Sequence, residues 1–314
     1  MTSLVPLTRE DASRVQLRFN SHFTRFTLAD HSVERPDLVW RNHQYEYVVG
    51  GAWKGRADIG EIIELGGPSR AIARVFYHGP RRTEESSWTD RRIELVEHLV
   101  ETYRQRGASL VLVSEREMER SLSFYEELGW KPIEQIVYYQ KSNTTIESTS
   151  NHLAILPATG RDIPRLMQVE KETFPWLWWY GMEEWTSILF SAGTETYLAY
   201  VDGILVGYET HTVRTSRGHL DRLGIHPAWQ GEHLGAELLA FAVRRMDRLG
   251  AKSVGLSTQW NNIRSQRLYE RHGFGRLSGW QTLHGRILQA SAEDRLVQDK
   301  TCLLYTSDAA DDLT

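Results

Sequence analysis

Apolar residues along this 314-residue chain recur at two periods, and the switches between them mark out its elements. Alternating or continuous apolar runs read as strands, and apolar positions three and four apart read as one face of a helix. In the first half, residues 4–7, 45–53, 59–65 and 71–78 read as strands, and Gly-rich turns predict a meander over the last three. Asp11 can cap a helix reaching toward Phe23. Thr89-Asp90 caps another, whose apolar positions Ile93, Leu95, Val96, Leu99, Val100 and Tyr103 keep close to helical period. A buried strand over 109–114, a helix over 118–128 and a closing strand over 136–140 follow. Residues 141–151 are polar and without period, and read as a linker. The second half then repeats the order. It has a strand over 153–156, helices over 162–172 and 182–190, and strands over 197–201, 205–213 and 219–225. A long helix over 236–249, a strand over 253–256 and a helix over 262–272 complete it.

The repeat is visible in the residues. Ser121-Leu-Ser-Phe-Tyr125-Glu-Glu-Leu-Gly129-Trp130 aligns with Ser265-Gln-Arg-Leu-Tyr269-Glu-Arg-His-Gly273-Phe274 at an offset of 144. Upstream, Arg106-Gly-Ala-Ser109 matches Leu249-Gly-Ala-Lys252. Shared order over a whole half makes two copies of one fold the economical reading. The fold class is therefore α/β (mixed α+β), with each domain a mostly antiparallel mixed central sheet flanked by helices.

Composition narrows the class of function. Hydrophobic residues at 40% and charged residues at 25% are the balance of a globular protein. A net charge of −4 offers nucleic acid no general attraction, and no local basic patch makes up for it. No apolar run approaches the length of a bilayer span, and Met1-Thr-Ser-Leu-Val-Pro lacks the blocks of a leader, so no membrane partner and a cytoplasmic location are expected. The single cysteine, Cys302, excludes an internal disulfide framework and a thiolate metal cluster. It lies in Cys302-Leu-Leu-Tyr-Thr-Ser-Asp-Ala-Ala310, which reads like the translation of a sequencing adapter. Residues 291–314 are expected to be a flexible tail, with 302–314 adapter-derived.

The chemistry centres on Gln230-Gly-Glu-His-Leu-Gly-Ala236, which lies between an apolar strand and a helical run. A glycine-bearing turn there aims several backbone N–H groups one way at the positive end of a helix, a cradle for a phosphate or pyrophosphate. Alone the pattern is common. Downstream, however, stands Asn262-x-x-Ser265-x-x-Leu268-Tyr269-x-x-x-Gly273-Phe274.

Together these motifs make the second half resemble the GNAT superfamily of acetyl-CoA-dependent N-acetyltransferases, and the first half a degenerate copy. The resemblance implies two tandem GNAT domains, over 1–140 and 152–290, joined by 141–151. It implies that Gln230, Gly231, His233, Leu234, Gly235 and Ala236 hold the pyrophosphate of acetyl-CoA. Ile225 would pair its backbone with the pantetheine arm, Asn262 would bond that arm, and Tyr269 would protonate the departing thiolate. Where the family has its middle glycine, this chain has His233, whose Cβ restricts φ and whose imidazole can also reach a phosphate. The first half has Pro80-Arg-Arg-Thr-Glu84-Glu85-Ser-Ser-Trp88 in place of the turn and Met118 in place of the asparagine, so no CoA loop is expected there.

Acetyl transfer also needs a base. His219 and Asp221 are two apart on one strand and so share a face, which suits them to take the amine's proton; Glu209 is the reserve. Asp221 can equally pair with Arg222 or Arg244. Trp176, Trp178 and Trp179 join the first two helices, which in the family wall the acceptor pocket, and with nearby carboxylates they suit a cationic amine. The expected partners are a small-molecule or peptide amine and no metal, in a monomer or homodimer. The rivals are a catalytically silent acyl-CoA-binding or interaction protein and a mycothiol-synthase-like acetyltransferase.

Overall fold

The computed structural model describes residues 4–6, 46–53, 56–66, 72–77, 97, 100–101, 104–105, 109–117, 124–147 and 151–298. The chain divides into two compact units, the first mostly within 1–114 and the second mostly within 132–283. Among the described residues, no helix is long and apolar enough to cross a membrane.

In the first unit, β1 (Leu4–Pro6), β2 (Glu46–Trp53), β3 (Arg56–Gly66) and β4 (Ile72–Tyr77) pair antiparallel in sequence order. The meander expected from the Gly-rich turns is present. β5 (Leu110–Glu117) then joins β4 in parallel. The helices expected after Asp11 and Thr89-Asp90 fall wholly or largely outside the described residues, as does the adapter-like tail. Of the helix expected over 118–128, the described part is α1 (Phe124–Glu127).

The second unit holds β6 (Lys131–Lys141), β7 (Ala154–Pro157), α2 (Ile163–Thr173), α3 (Met182–Leu189), β8 (Thr194–Val201), β9 (Ile204–Arg214) and β10 (Arg217–Ile225). It continues with α4 (Leu234–Arg248), β11 (Ser253–Gln259), α5 (Ile263–Arg271) and β12 (Gly275–Ile287). Its sheet runs β12-β6-β11-β10-β9-β8-β7. β7 to β10 pair antiparallel and β10 with β11 parallel, the same succession as in the first unit. The strand that the sequence places at the close of the first half, β6, pairs antiparallel with β11. Two elements have no counterpart in the sequence reading. These are β12, whose exposed first residues and three glycines hide any alternation, and a helical stretch over 290–298, where a flexible tail is expected from 291.

Helices cover both faces of this sheet. α4 turns Leu238, Leu239, Ala242, Val243 and Met246 inward at three- and four-residue spacing, against Leu220 and Val254 of the strands below. Burying each large member of that stripe contributes about 1.5–3 kcal/mol. Gly250 (φ 94°) ends the helix in the left-handed region, and the Ala251 N–H closes back on the Met246 carbonyl at 3.0 Å. On the opposite face α2 and α3 bury Leu166, Val169, Trp185 and Ile188 against Leu198 and Tyr208. Asp162 closes a capping box on the 3-10 turn that leads into α2, accepting from the Thr159 N–H at 2.9 Å and hydroxyl at 2.8 Å.

Candidate active site

The site is built where two parallel strands stop pairing. β10 and β11 are in register from Arg217↔Ser253 to Leu220↔Leu256, and no further. β10 then runs on to Ile225 and β11 to Gln259, each still held by its other neighbour. A bulge marks the parting, because the pairing of β10 with β9 slips between Leu220 and Arg222 and leaves Asp221 as the extra residue. Beyond it, β9 and β10 approach so closely that a Cβ on Gly207 would collide with the Gly224 carbonyl oxygen. The result is a wedge-shaped gap with strand-edge backbone along it.

The turn after β10 lies at the open end of that gap. A short 3-10 segment, Pro227–Trp229, uses up the Gln230 N–H, which donates to the Pro227 carbonyl at 3.2 Å. The Ala236 N–H donates to the His233 carbonyl at 3.0 Å. Among the described residues, the N–H groups of Gly231, Glu232, His233, Leu234 and Gly235 have no internal acceptor. Gly231 (φ 96°) and His233 (φ 60°) are both left-handed, an alternation that turns successive N–H groups into one concave nest at the start of α4. His233 thus adopts the backbone a glycine would, at a cost of about 1–2 kcal/mol, with its imidazole exposed.

Tyr269 lies at the closed end. Its ring belongs to the same apolar cluster as Leu220 and Leu256, the last paired residues, and packs on Tyr139 at 6.1 Å and Phe274 at 6.0 Å. Burial pushes its hydroxyl up to about 12, opposed by a hydrogen bond with Ser265 one turn back on α5. Asn262 caps α5, its Oδ1 accepting from the Ser265 N–H at 3.1 Å. Gln266, which sequence reasoning missed, ties α5 to the end of β11 by donating to the carbonyls of Gln259 at 3.0 Å and Trp260 at 2.6 Å.

Residues 163–274, the span from α2 to the end of the Tyr269 motif, match the profile described as the acetyltransferase (GNAT) family. This segment is similar to the GNAT acetyltransferase family. Known structures agree on the fold. The chain is similar to a GCN5-related N-acetyltransferase from Sphaerobacter thermophilus (18% identity, 91% of this chain and 96% of that one, TM-score 0.58). It is also similar to a tandem GNAT protein from the clavulanic acid biosynthesis pathway (14% identity, 91% of this chain and 98% of that one, TM-score 0.61). Among curated proteins it is 30% identical over 93 residues to the spore coat polysaccharide biosynthesis protein SpsD of Bacillus subtilis (strain 168). That match takes in 29% of this chain and spans 32% of the length of SpsD.

Within this segment, Asp221 stands at the bulge where the gap opens. Its Oδ1 is 3.0 Å from the His219 Nδ1, and its Oδ2 accepts from the Thr212 hydroxyl at 2.6 Å. His219 is 47% exposed and Asp221 11%, so the pair connects the gap to solvent. Neither Arg222 nor Arg244 takes Asp221. Arg222 turns to the other side of the bulge, where it pairs with Glu170 of α2 at 2.9 Å, both buried.

That ion pair organises the aromatic segment between α2 and α3. Arg222 donates to the Trp178 carbonyl and lies over the Tyr180 ring at 3.8 Å, while Glu170 accepts from the Trp185 Nε1 at 2.7 Å. Burial raises the Glu170 carboxyl, and the charge of Arg222 opposes it. The three tryptophans are knitted into this arrangement. Trp176 is buried beneath Arg295, 5.2 Å from its ring centroid, and Trp179 donates to the Phe174 carbonyl at 2.6 Å. Trp178 and Trp179 keep partly exposed faces.

Glu209 is not brought to them. It is fully buried on the face that α4 covers, with the His211 Nδ1 3.0 Å from its Oε2. On the far side of His211 lies Glu195, which Arg245 of α4 grips at 2.6 and 2.8 Å. The turn residues 80–88 and Met118 of the first half lie outside the described residues, and Tyr125 is buried.

Proposed function

We propose that the GNAT segment transfers an acetyl group from acetyl-CoA directly to a primary amine of a small molecule or peptide. The observation that carries this reading is the gap itself. A nest of free N–H groups stands at its open end, and Asp221 with His219, and Tyr269, stand at its closed end. The nest suits the donor's pyrophosphate, and the edge of β10 suits its amide-bearing arm. Gly231, His233, Leu234 and Gly235 would supply the N–H donors. Gln230 and Ala236 would shape the turn, and the Asn262 amide would bond the arm.

In the reaction the amine lone pair attacks the thioester carbonyl, the amine loses a proton, and the C–S bond breaks to release the thiolate. Asp221 takes that proton and passes it through His219 to solvent. Tyr269, whose hydroxyl stays protonated across the physiological range, donates to the sulfur. Trp178 and Trp179 would wall the acceptor side, where their ring faces favour a cation. No metal takes part in this scheme, and no nucleic acid or membrane partner is needed. The first half is read as a degenerate second GNAT copy without a donor loop. The matching strand succession of the two units and the residue repeat support it. The location proposed is cytoplasmic, and the assembly a monomer or homodimer.

A thiol-release assay with acetyl-CoA over a panel of primary amines tests the proposal. Turnover with at least one amine, lowered by Tyr269→Phe, is expected. Acetyl-CoA binding without turnover on a broad panel would point instead to a silent acyl-CoA-binding protein.

A further inference from the structure

The Gln230 side chain does something its place in a phosphate turn does not require. Its Nε2 donates to the Ile225 carbonyl at 2.8 Å, and its Oε1 accepts from the Arg264 Nη1 on the first turn of α5. The direction of that carbonyl matters. In an antiparallel pair, neighbouring residues aim their backbone groups at opposite edges of the strand. The His226 N–H points to β9, donating to the Val206 carbonyl at 2.8 Å. The Ile225 N–H and carbonyl therefore point the other way, into the gap that opens after Leu220 and Leu256. A carboxamide N–H on a strand-edge carbonyl is the bond that an incoming amide chain would make.

We infer that the Gln230 carboxamide is a self-ligand of the donor gap, held in place by Arg264, and that the donor's amide-bearing arm must exchange with it. The inference rests on the donor reading given above and adds an affinity-setting pair to it. Arg264 is suited to the part: among the described residues no carboxylate pairs with it. Removing the carboxamide leaves the Ile225 carbonyl open to the donor, a gain of one uncontested hydrogen bond.

Titration calorimetry on the full chain tests this. Gln230→Ala is expected to bind acetyl-CoA about threefold to tenfold more tightly than wild type. Arg264→Ala is expected to bind S-acetyl-pantetheine, which lacks phosphate, more tightly than wild type, and adding it to Gln230→Ala should give no further gain. Unchanged or weaker acetyl-CoA binding by Gln230→Ala, in a chain whose wild type binds, overturns the inference and leaves the donor reading standing. No binding of acetyl-CoA by wild type overturns the donor reading, and this inference with it.

Discussion

The Asp221 carboxylate meets the His219 imidazole at 3.0 Å, one residue past the last pair that joins β10 to β11. A carboxylate placed there touches both the gap and, through an exposed imidazole, the solvent. Asp221→Asn keeps the shape and the Thr212 contact but removes the proton acceptor. It is expected to lower kcat/KM about 100-fold or more, with acetyl-CoA affinity within about threefold of wild type. Steady-state kinetics beside calorimetry check this, and an unaltered kcat/KM would move the base elsewhere.

Tyr269 gives a second kinetic expectation. Burial pushes its hydroxyl up to about 12, so it stays protonated at any pH where the enzyme is assayed. No alkaline limb below about pH 10 is expected from it in the pH profile of kcat. Tyr269→Phe should lower kcat about 100-fold without introducing such a limb, and the effect should shrink with thioesters whose thiols leave more readily.

The buried pair of Glu209 and His211 predicts how stability changes with pH. Burial raises the Glu209 carboxyl, opposed by its bond to His211. Burial pulls the His211 imidazole down, but the hydrogen bond to Glu209 and the charges of Glu209, Glu195 and Asp221 outweigh it, so the net direction is up. A group raised by folding contributes stability that is complete below its unfolded value and is lost as the pH climbs through its folded one. For both groups the loss runs upward in pH, and for His211 it begins above 6.5. A Tm that falls between pH 6.5 and 9 is expected, with the slope flattened in a Glu209→Gln, His211→Asn double variant. Equal slopes in the two proteins would contradict it.

Arg222 and Glu170 make the structural counterpart. Arg222→Met alone leaves a buried carboxylate unpaired and should cost about 3–5 kcal/mol by urea denaturation. The Arg222→Met, Glu170→Met double variant should recover most of that loss. A single variant as stable as wild type would show that the pair does not hold the aromatic segment.

These residues also mark where the sequence was legible. α4, α5 and the strands of the second unit could be read because their periods are strong, and the turn because glycine and helix start coincide. The closeness of His219 and Asp221 followed from strand period alone. The pairing of Arg222 with Glu170 did not, because a bulge at Asp221 sends Arg222 to the opposite side of the sheet from where neighbours in sequence suggest. Glu209 reads as a reserve base from its place on the preceding strand, yet it is fully buried against a partner. Its partner, His211, lies two residues away on the same strand and supplies the signal that was overlooked. That β6 pairs with β11 was not legible, because no local pattern says which neighbour a strand takes. That Gln230 contributes a side chain rather than an N–H depends on the Pro227 carbonyl, which only the folded turn brings within reach.

The central claim is that the nest at Gly231 to Gly235 and the gap beyond Leu220 and Leu256 bind acetyl-CoA. Thermal unfolding of the full chain with and without acetyl-CoA tests it most directly. At a hundred times Kd, binding contributes about 2.7 kcal/mol and is expected to raise Tm by about 5–10 °C. The absence of any shift with acetyl-CoA or with longer acyl-CoA thioesters would contradict the account.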